Sequence, residues 1–576
     1  MATNNPKTAA NQITVTRFGG ITDHAGLSID SAADVRNFRI LSDGTLEKRC
    51  GYTRSYTFSQ PLRGLWEGVV SGESYLFAVA GNVIYMRAPD ATTPSAIYTM
   101  TTSTGGVSFF LYRERLWLMD GKSLLVFRPG TRSFSIAQGY VPLYGYNWHP
   151  TSLGEINEPL NLVRNEIRVH YFNSNGSTTF HLPFTSKKIN YVRVNGSAIT
   201  TYTFQPGTSS FTIPTAYATV GSVEVHVTLD PIFSGRTSVL EASYAKVYHT
   251  PEREVMMCHG SRAGYLVYRT SPVSDEMLRT CDLTVADADP MYVAKDTAFA
   301  VGSSTHPVTA LCQFEDQMLV FNDDSIWSVR YPEADSDEAE IFPVRSGLGC
   351  TSRNGVMMCG KYPIAATGAG IARLKFSSTD PDYCQPEILS ANIREKLGRE
   401  FLENAMLFWD ESRQELWVRD PNDSAGSVWI CAPERGIWFR FDNLFARSFF
   451  PLEGGIGFTE YQAVCVFDEQ ALNDGGAAIT AEYRSHDLAI APVGAPRRSL
   501  RVSMVAQHHD NRIVANIQTD RGSCMLKLRG QAADSGSLTF YNRRATMGRF
   551  RFLQFVIAAS NQKRSRIYSF SITANP

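Results

Sequence analysis

Residues 37–52 read NFRILSDGTLEKRCGY, and this stretch decides how the first part of the chain is built. Two short strands flank the sequence Ser42-Asp43-Gly44-Thr45. Asp and Gly favour tight turns, because both tolerate a positive φ and because the Asp side chain can accept hydrogen bonds from the nearby backbone. The stretch is therefore predicted to be a β-hairpin rather than a catalytic loop or a sugar-binding loop.

The rest of the chain repeats one strand pattern. Short β-branched and aromatic runs are bounded by Gly, Asn, Asp and Pro, as in antiparallel β proteins. A shorter relative, residues 74–87, has Gly81-Asn82 at a hairpin turn. Sheets of three or four strands with both faces covered are typical of propeller blades, although an array of β-sandwiches gives similar strands. Three segments share the order strand, charged turn, strand, Asp or Asn turn, strand: 106–135, 311–330 and 404–441.

These patterns predict an all-β fold with a β-propeller-like core, an inserted small β-sandwich module and a C-terminal β-rich domain. Only one segment has a helical period, since apolar residues recur every four positions over 383–404. We expect one connecting helix there. The predicted parts are a flexible N-terminal arm (1–12), a first propeller-like part (13–155), the inserted β-module (156–235), a second propeller-like part (236–475) and a basic C-terminal β domain (476–576).

Composition limits the class of protein. The chain has 576 residues, of which 43% are apolar and 19% are charged, enough for a large buried core. No apolar run reaches the length of a membrane span, and the first twelve residues do not look like a secretory signal. The ten cysteines contain no CxxC pair, so free thiols are expected instead of a disulfide scaffold or a zinc site. A protein that stays in the cytoplasm is the expectation.

The charge is divided unevenly along the chain. Residues 497–576 contain 14 Lys and Arg against three acidic residues, a net charge of +11, so the other 496 residues carry 41 basic and 53 acidic side chains, or −12. Such a basic region could face nucleic acid or an acidic partner, or could pair with acidic regions between domains or copies. The candidate contact residues are Arg497, Arg498, Arg501, Arg543, Arg544, Arg549, Arg551, Lys563, Arg564 and Arg566.

No motif marks a reaction. The chain lacks HExxH, GxSxG and a GxxxxGK[ST] phosphate loop. His508-His509-Asp510 is interpreted as a polar turn, because adjacent residues of a strand point to opposite faces. The Ser-Asp-Gly-Thr turn is similar to the Asp-box of sialidase-like propellers, but Leu46 follows where those boxes have a nearby Trp. No catalytic residue, metal site or cofactor is therefore predicted.

Residues 18–52, FGGITDHAGLSIDSAADVRNFRILSDGTLEKRCGY, resemble the N-termini of tail nozzle (tubular tail) proteins and tail-hub propellers of short-tailed bacteriophages. Residues 286–330 and 346–376 are similar to blade segments of that family, and the last residues, from Gly548 to Pro576, are similar to its terminal strand pair. The resemblance implies a structural protein of the virion tail, assembled in the host cytoplasm, of which six copies commonly form a tube.

The resemblance also implies the partners. They are further copies of the chain in a ring, adaptor or portal-side proteins, tail fibres or spikes, and double-stranded DNA that passes through the lumen. Because strong phosphate binding would oppose ejection, we expect much of the +11 region to contact acidic subunit surfaces instead of DNA. The main alternative is a propeller enzyme or glycan-binding protein that acts on host surface polysaccharide. A monomeric peptide-binding scaffold is a third alternative, which predicts a more regular repeat.

Overall fold

The computed structural model describes most of the chain. The described residues are 11–24, 30–112, 114–137, 139–146, 156–161, 164–230, 244–249, 254–259, 266–269, 298–302, 306, 308–330, 340–452, 455–489, 497–508, 513–528, 538–560 and 565–575. The chain divides into two compact units: Met1–Glu67, Thr92–Pro94 and Val344–Pro576 form the first, and Gly68–Ala91 and Ser95–Pro343 form the second.

The chain begins with five short strands. The predicted hairpin is present, because the third and fourth strands pair Phe38 with Lys48 and Ile40 with Leu46 around the Ser-Asp-Gly-Thr turn. The strand bounds are β1 (Asn11–Val15), β2 (Ala32–Arg36), β3 (Phe38–Ile40), β4 (Leu46–Lys48) and β5 (Gly51–Thr57).

Two antiparallel four-stranded sheets follow, each built from consecutive strands, and apart from the first part of β6 their strands belong to the second unit. Leu116 to Met119 are all buried, so this strand is covered on both faces, as its apolar pattern indicates. Gly81 lies at a turn with φ +56°, which confirms the predicted hairpin. The first sheet comprises β6 (Leu62–Val70), β7 (Glu73–Ala80), β8 (Val83–Arg87) and β9 (Ser95–Thr99), and the second comprises β10 (Ser108–Tyr112), β11 (Arg115–Met119), β12 (Leu124–Arg128) and β13 (Ser133–Ile136).

A separate β-module follows, with a core of its own that includes Ile167, Val169, Val225 and Val227. Its sheet starts earlier than the predicted boundary at 156, because β14 pairs in parallel with β16. The strand order is β15-β14-β16-β21-β17-β20-β19, with β18 on β17. The bounds are β14 (Leu143–Tyr146), β15 (Ile156–Asn157), β16 (Glu166–Asn173), β17 (Thr179–Val194), β18 (Ser197–Ile199), β19 (Thr203–Phe204), β20 (Thr208–Thr212) and β21 (Gly221–Leu229).

Two more four-stranded antiparallel sheets complete the second unit. In the second of them, all six residues of β27 are buried. The bounds are β22 (Tyr244–His249), β23 (Glu254–His259), β24 (Leu266–Arg269) and β25 (Ala298–Ala300), then β26 (Val308–Phe314), β27 (Gln317–Asn322), β28 (Ile326–Arg330) and β29 (Glu340–Val344).

The first unit contains three more blade-like sheets. In the last of them, β5 from the N-terminal part pairs antiparallel with β40 and supplies the fourth strand. The bounds are β30 (Val356–Cys359), β31 (Tyr362–Thr367), β32 (Gly370–Phe376), β33 (Cys384–Ile388), β34 (Met406–Asp410), β35 (Glu415–Arg419), β36 (Val428–Ala432), β37 (Ile437–Phe441), β38 (Ser448–Leu452), β39 (Gly455–Thr459), β40 (Ala463–Asp468), β41 (Asn473–Asp474) and β42 (Ala477–Ala478).

The prediction of one helix over 383–404 is wrong. The segment starts with strand β33, and its helical part consists of two short helices, α1 (Arg394–Leu397) and α2 (Arg399–Glu403). Gly398 separates them with φ +69°, a conformation outside the right-handed helix. The apolar period is nevertheless used in packing, since Ile393 and Leu397 are buried in the core.

The C-terminal strands form a two-sheet sandwich together with the N-terminal strands. One sheet has the order β3-β4-β50-β45-β48 with β1 on β50, and the other continues from β37 through β2-β43-β49-β46-β47. Phe555 and Phe570, one from each sheet, stack with ring centroids 4.5 Å apart. The bounds are β43 (Ala481–Ser485), β44 (Leu488–Ala489), β45 (Arg497–His508), β46 (Ile513–Thr519), β47 (Gly522–Leu528), β48 (Leu538–Phe550), β49 (Phe552–Ala559) and β50 (Ser565–Asn575).

This arrangement corrects the predicted boundaries at the N-terminus. Strand β1 begins at Asn11, inside the predicted arm, and residues 11–48 pair mainly with the C-terminal domain, with one bridge from Arg36 to Arg440 of blade strand β37. The sequence could not show this, because the partners lie more than 400 residues away. The all-β fold with a propeller-like core, an inserted module and a C-terminal β domain is confirmed.

The quoted stretch and the strand before it lie where the two sandwich sheets meet the last two blades of the first unit. Strand β2 pairs with β43 and, through Arg36 and Arg440, with blade strand β37. The β3–β4 hairpin joins the sandwich through β50, and β5 then completes the last blade. A side chain at Gly51 would place its Cβ 1.9 Å from the carbonyl oxygen of Asn473, so only glycine fits between the hairpin and this blade.

Candidate functional site

The hairpin turn is held by its own Asp and by the C-terminal domain. The Asp43 carboxylate accepts hydrogen bonds from the Thr45 backbone N–H at 3.0 Å and from the Thr45 hydroxyl at 2.7 Å. Arg566 forms an ion pair with Asp43 and donates to Thr45 Oγ1 at 3.0 Å. Burial alone would raise the pKa of Asp43, because it disfavours the charged form. The hydrogen bonds from Thr45 and the Arg566 charge outweigh this effect and hold the pKa of Asp43 below its usual value. The turn is therefore a structural device.

A buried arginine lies directly behind the hairpin. Arg49 donates through Nη1 to Asp474 Oδ1 at 2.7 Å and through Nε to Asn37 Oδ1 at 2.9 Å. Its Nη2 donates to the Asp442 carbonyl at 3.2 Å, and its guanidinium lies 5.5 Å from the centre of the Phe441 ring. One side chain thus joins the hairpin, the end of β37 and strand β41 of the last blade sheet.

A cavity of about 370 Å³ opens between the hairpin and the last two blades of the first unit. Most of the residues that line it are charged or aromatic. It is lined by Arg39, Ile40, Leu41, Ser42, Glu47, Arg49, Cys50, Arg413, Gln414, Glu415, Trp417, Ala432, Glu434, Arg435, Phe441, Gly455, Ile456, Phe467 and Glu469.

The cations of this cavity are engaged by the protein itself. Arg39 forms an ion pair with Glu415 and lies over the ring of Phe441, 5.5 Å from its centroid. Burial opposes the charge of Arg39, but Glu415 raises its pKa overall. Arg435 donates to the carbonyl oxygens of Leu41 at 2.7 Å and Ile40 at 3.1 Å, and burial lowers its pKa. These arginines fasten the hairpin to the blades.

Trp417 forms the floor of the cavity and is packed tightly. It is 1% exposed, and its ring lies edge-on to Phe441 at 5.7 Å and to Phe449 and Phe467 at 5.5 Å. Its indole N–H has no hydrogen-bond partner among the described residues. A ring buried to this degree cannot act as a stacking platform for a sugar, because both faces are covered by protein.

The predicted arginine cluster is brought together only in part. Arg501 on β45 lies directly opposite Arg544 on β48, and Arg543 precedes Arg544 on the same strand; all three side chains are exposed. Arg549 and Arg551 are exposed near the β48–β49 connection, where the Arg551 N–H donates to Asp520 at 2.9 Å.

Five other candidates stand apart from this group. Arg566 is used by the hairpin turn, as described above. Arg497 and Arg498 lie in β45, and only their strand placement is described. Lys563 and Arg564 lie outside the described residues, as do residues 286–297 at the start of the segment 286–330.

Exposed apolar side chains accompany the arginines, and sequence analysis did not identify them. Leu538 and Phe540 on β48 are 62% and 66% exposed, and Met525 on β47 is 62% exposed. Leu538 and Phe540 are two residues apart, so they share one face of the strand with Arg544. The alternation of β48 could have indicated this face, but it does not show that no other sheet covers it.

A small cluster of ionisable side chains lies in the second unit. The His306 Nδ1 atom is 2.6 Å from Asp323 Oδ1, and its Nε2 atom is 3.4 Å from Asp324 Oδ2. These three residues are the metal-capable group found among the described residues. Because each ring nitrogen lies near a carboxylate oxygen of its own, the arrangement is an exposed cluster of one His and two Asp side chains, and no residue spacing in the sequence indicated it.

The described cysteines and helices bear on two further expectations. The cysteines whose side chains are described are free, which confirms the prediction for that part of the chain. Within the described ranges, no helix is long and apolar enough to span a bilayer.

Comparison with known proteins leaves the family open. No family model matches the chain, and no curated protein matches it. Among solved structures, the AfRom2 CNH domain is 7% identical with a TM-score of 0.35, covering 73% of this chain and 99% of that chain. The structure of BBS1N in complex with ARL6DN is 9% identical with a TM-score of 0.34 and covers 73% and 99%.

An exo-β-1,3-galactanase from Phanerochaete chrysosporium is 7% identical with a TM-score of 0.23, covering 90% of this chain and 99% of that chain. Since all these TM-scores are below 0.5, the similarities carry no argument about what the chain does.

Proposed function

We propose that this protein is a structural component of a bacteriophage tail, the nozzle or hub ring that extends the tail tube. In this role, copies of the chain surround the DNA ejection channel and provide a platform for adaptor proteins and for fibres or spikes. The proposal rests on the resemblance of residues 18–52 and on the part that these residues play in the fold.

The supporting observation is the position of this stretch. Residues 32–57 contribute strands to the sandwich and to the last blade within a run of 26 residues, so they connect the basic domain directly to that blade. A tube component must resist the load of DNA passage, and a covalent joint between domains, reinforced by the buried Arg49, suits that need. The acidic blades and the basic sandwich also offer complementary surfaces to neighbouring copies.

The direct test is to locate the protein in a particle. An antibody raised against the chain is applied to virions whose genome encodes it, and the labelled particles are imaged by negative stain. We expect label at the tail tip, between the portal end and the fibres. Label on the capsid shell, or a particle that lacks the protein, would contradict the proposal.

A second candidate function is favoured by the charged cavity beside the hairpin. Its wall carries four carboxylates, Glu47, Glu415, Glu434 and Glu469, and a polysaccharide-active site needs acidic groups of this kind. The pairing of Glu415 with Arg39 and the burial of Trp417 weigh against it. Incubation of the purified protein with host surface polysaccharide decides between the two: release of reducing ends, abolished by Glu47→Gln, would favour the enzyme.

A further inference from the structure

We propose that the outer face of β48 and its neighbour β45 is a subunit interface that binds an acidic surface of a second copy of this chain. This interface rests on the proposed function, because a ring of copies needs such a surface. Its test is nevertheless separate from the test of that function. It is defined by Leu538, Phe540, Arg544 and Arg501, which share one face of the two strands.

The first argument is the position of the strand. Among the described residues, β48 is the last strand of one sandwich sheet and β47 is the last strand of the other, and the two lie beside each other. The 13-residue β48 therefore leaves a long row of backbone groups along one side of the sandwich. Proteins protect such edges, because an uncovered edge strand readily pairs with another chain.

The second argument is the apolar surface. Phe540 lies opposite Val505, and Leu538 lies opposite Gln507, so both large side chains stand on the outer face of the sheet. They are 66% and 62% exposed. The neighbours on the opposite face of the same strand, Tyr541 and Ala545, are buried. Adjacent exposed apolar residues on a sheet face mark an interaction surface.

The third argument is the charge of the same face. Arg501 and Arg544 are direct cross-strand partners, and like charges in this position are unfavourable unless an anionic group lies near them. Within the part of the chain that the structure describes, neither guanidinium has a carboxylate within ion-pair distance. Strands β45, β47 and β48 contain no Asp or Glu, so the sandwich does not neutralise this face locally.

These observations identify the occupant as protein with a negative surface. The residues outside 497–576 carry a net charge of −12, so another copy of the chain offers the complementary charge. DNA fits the face less well, because a phosphate backbone offers no apolar surface to cover Phe540 and Leu538.

The experiment uses the full-length protein and matched variants. Phe540→Ser and Arg544→Glu remove the apolar contact and reverse the charge, and both positions are exposed, so folding is retained. The controls are Val220→Ser, a 63% exposed position on the inserted module, and Arg128→Glu, an exposed position on a blade. Concentration-dependent light scattering gives the midpoint of assembly for each protein.

We expect Phe540→Ser and Arg544→Glu each to raise the midpoint concentration by about tenfold or more, and the controls to leave it within about twofold. A photo-crosslinker at position 540, in a mixture of isotopically light and heavy chains, is expected to give light–heavy products. The partner peptides should come from residues before 497.

The outcomes separate this interface from the ring function. A ring whose midpoint is unchanged by both variants, or a crosslinker that captures no second copy, overturns the interface and leaves the function intact. A closed dimer formed through Phe540 supports the interface and contradicts the ring. Capture of DNA at position 540 in place of protein also overturns the interface.

Discussion

Arg49 makes the largest set of contacts of any single residue at the hairpin. Its side chain is 2% exposed, and that of its partner Asp474 is 7% exposed, so removing the guanidinium would leave a buried carboxylate without a counter-charge. Loss of one member of such a pair is more costly than the pair itself is stabilising, because the remaining charge must stay dehydrated.

We therefore predict that Arg49→Ala destabilises the first unit by about 3–5 kcal/mol. Urea unfolding followed by hydrogen exchange in β3, β4 and β5 measures the loss. Arg54→Ala is the matched control, because Arg54 is 49% exposed in its ion pair with Glu460 and should cost about 0–1 kcal/mol. Equal effects of the two substitutions would show that Arg49 has no special role.

Gly44 is required by the turn for two reasons. Its φ is +82°, and a Cβ on it would lie 2.9 Å from the Cβ of Arg17. Gly72 has the same backbone conformation, φ +81°, but its Cβ would meet nothing within 4 Å. Comparing alanine substitutions at Gly44 and Gly72 therefore separates the cost of the left-handed backbone from the cost of the steric contact with Arg17.

Gly72→Ala is expected to cost about 1 kcal/mol, from the left-handed backbone alone, and Gly44→Ala is expected to cost more. Thermal unfolding of both variants under the same conditions gives the comparison. If Gly44→Ala lowers the stability no more than Gly72→Ala, the structure relaxes around the contact with Arg17 without cost, and that contact does not hold the turn.

At the scale of the strand, Glu224 on β21 stabilises the inserted module electrostatically. The nearby His170 ring, with Nε2 3.6 Å from Glu224 Oε2, is the main cause, and Tyr191 Oη donates to the carboxylate at 2.5 Å. Together with Arg168 they lower the pKa of Glu224 to about 2, against an ordinary value of 4.5. Because the folded-state pKa is lowered, this stabilisation is complete above the unfolded value and disappears as the pH falls through about 2.

We predict that the module loses about 2–3 kcal/mol of stability between pH 4.5 and pH 2 through this group. Hydrogen exchange of β16 and β21 peptides in the full chain, measured across that range, tests it. Glu224→Gln should flatten the pH dependence, while Glu387→Gln, on an exposed blade strand, should not. A steep pH dependence that persists in Glu224→Gln would assign it to another group.

Local elements were predictable from the sequence and their long-range partners were not. The turns at Asp43-Gly44 and Gly81-Asn82 follow from local backbone preferences. The apolar period over 383–404 led to a wrong prediction of one helix, because a period of four also fits a strand followed by two short helices. Gly398, with its positive φ, separates the two helices. The pairing of β2 with β43 and of β5 with β40 depends on residues about 400 positions away, which local patterns do not report.

The candidate site was predictable only as a charge distribution. Arginine clustering after residue 497 was visible, but the sequence did not show which arginines share a face. Arg566 turns inward to Asp43, whereas Arg501 and Arg544 meet across two strands. The cavity beside the hairpin was not predicted, since its wall combines residues 39–50 with residues 413–469.

At the scale of the whole molecule, the +11 and −12 regions predict that assembly depends on salt. Exposed charges are screened over about 10 Å at 0.1 M salt and about 3 Å at 1 M. We expect the assembled fraction to fall as NaCl is raised over this range and to recover on dilution. Sedimentation velocity at a fixed protein concentration measures the change, and an assembly indifferent to 1 M salt would argue against charge pairing between copies.

The measurement that tests the central claim most directly is the native mass of the purified protein by light scattering at low salt, with negative-stain images of the same sample. Closed rings or short tubes of several 64.0-kDa chains, with an open central hole, are the predicted result. A monomer that persists at high protein concentration and in the presence of portal and adaptor proteins would contradict the account.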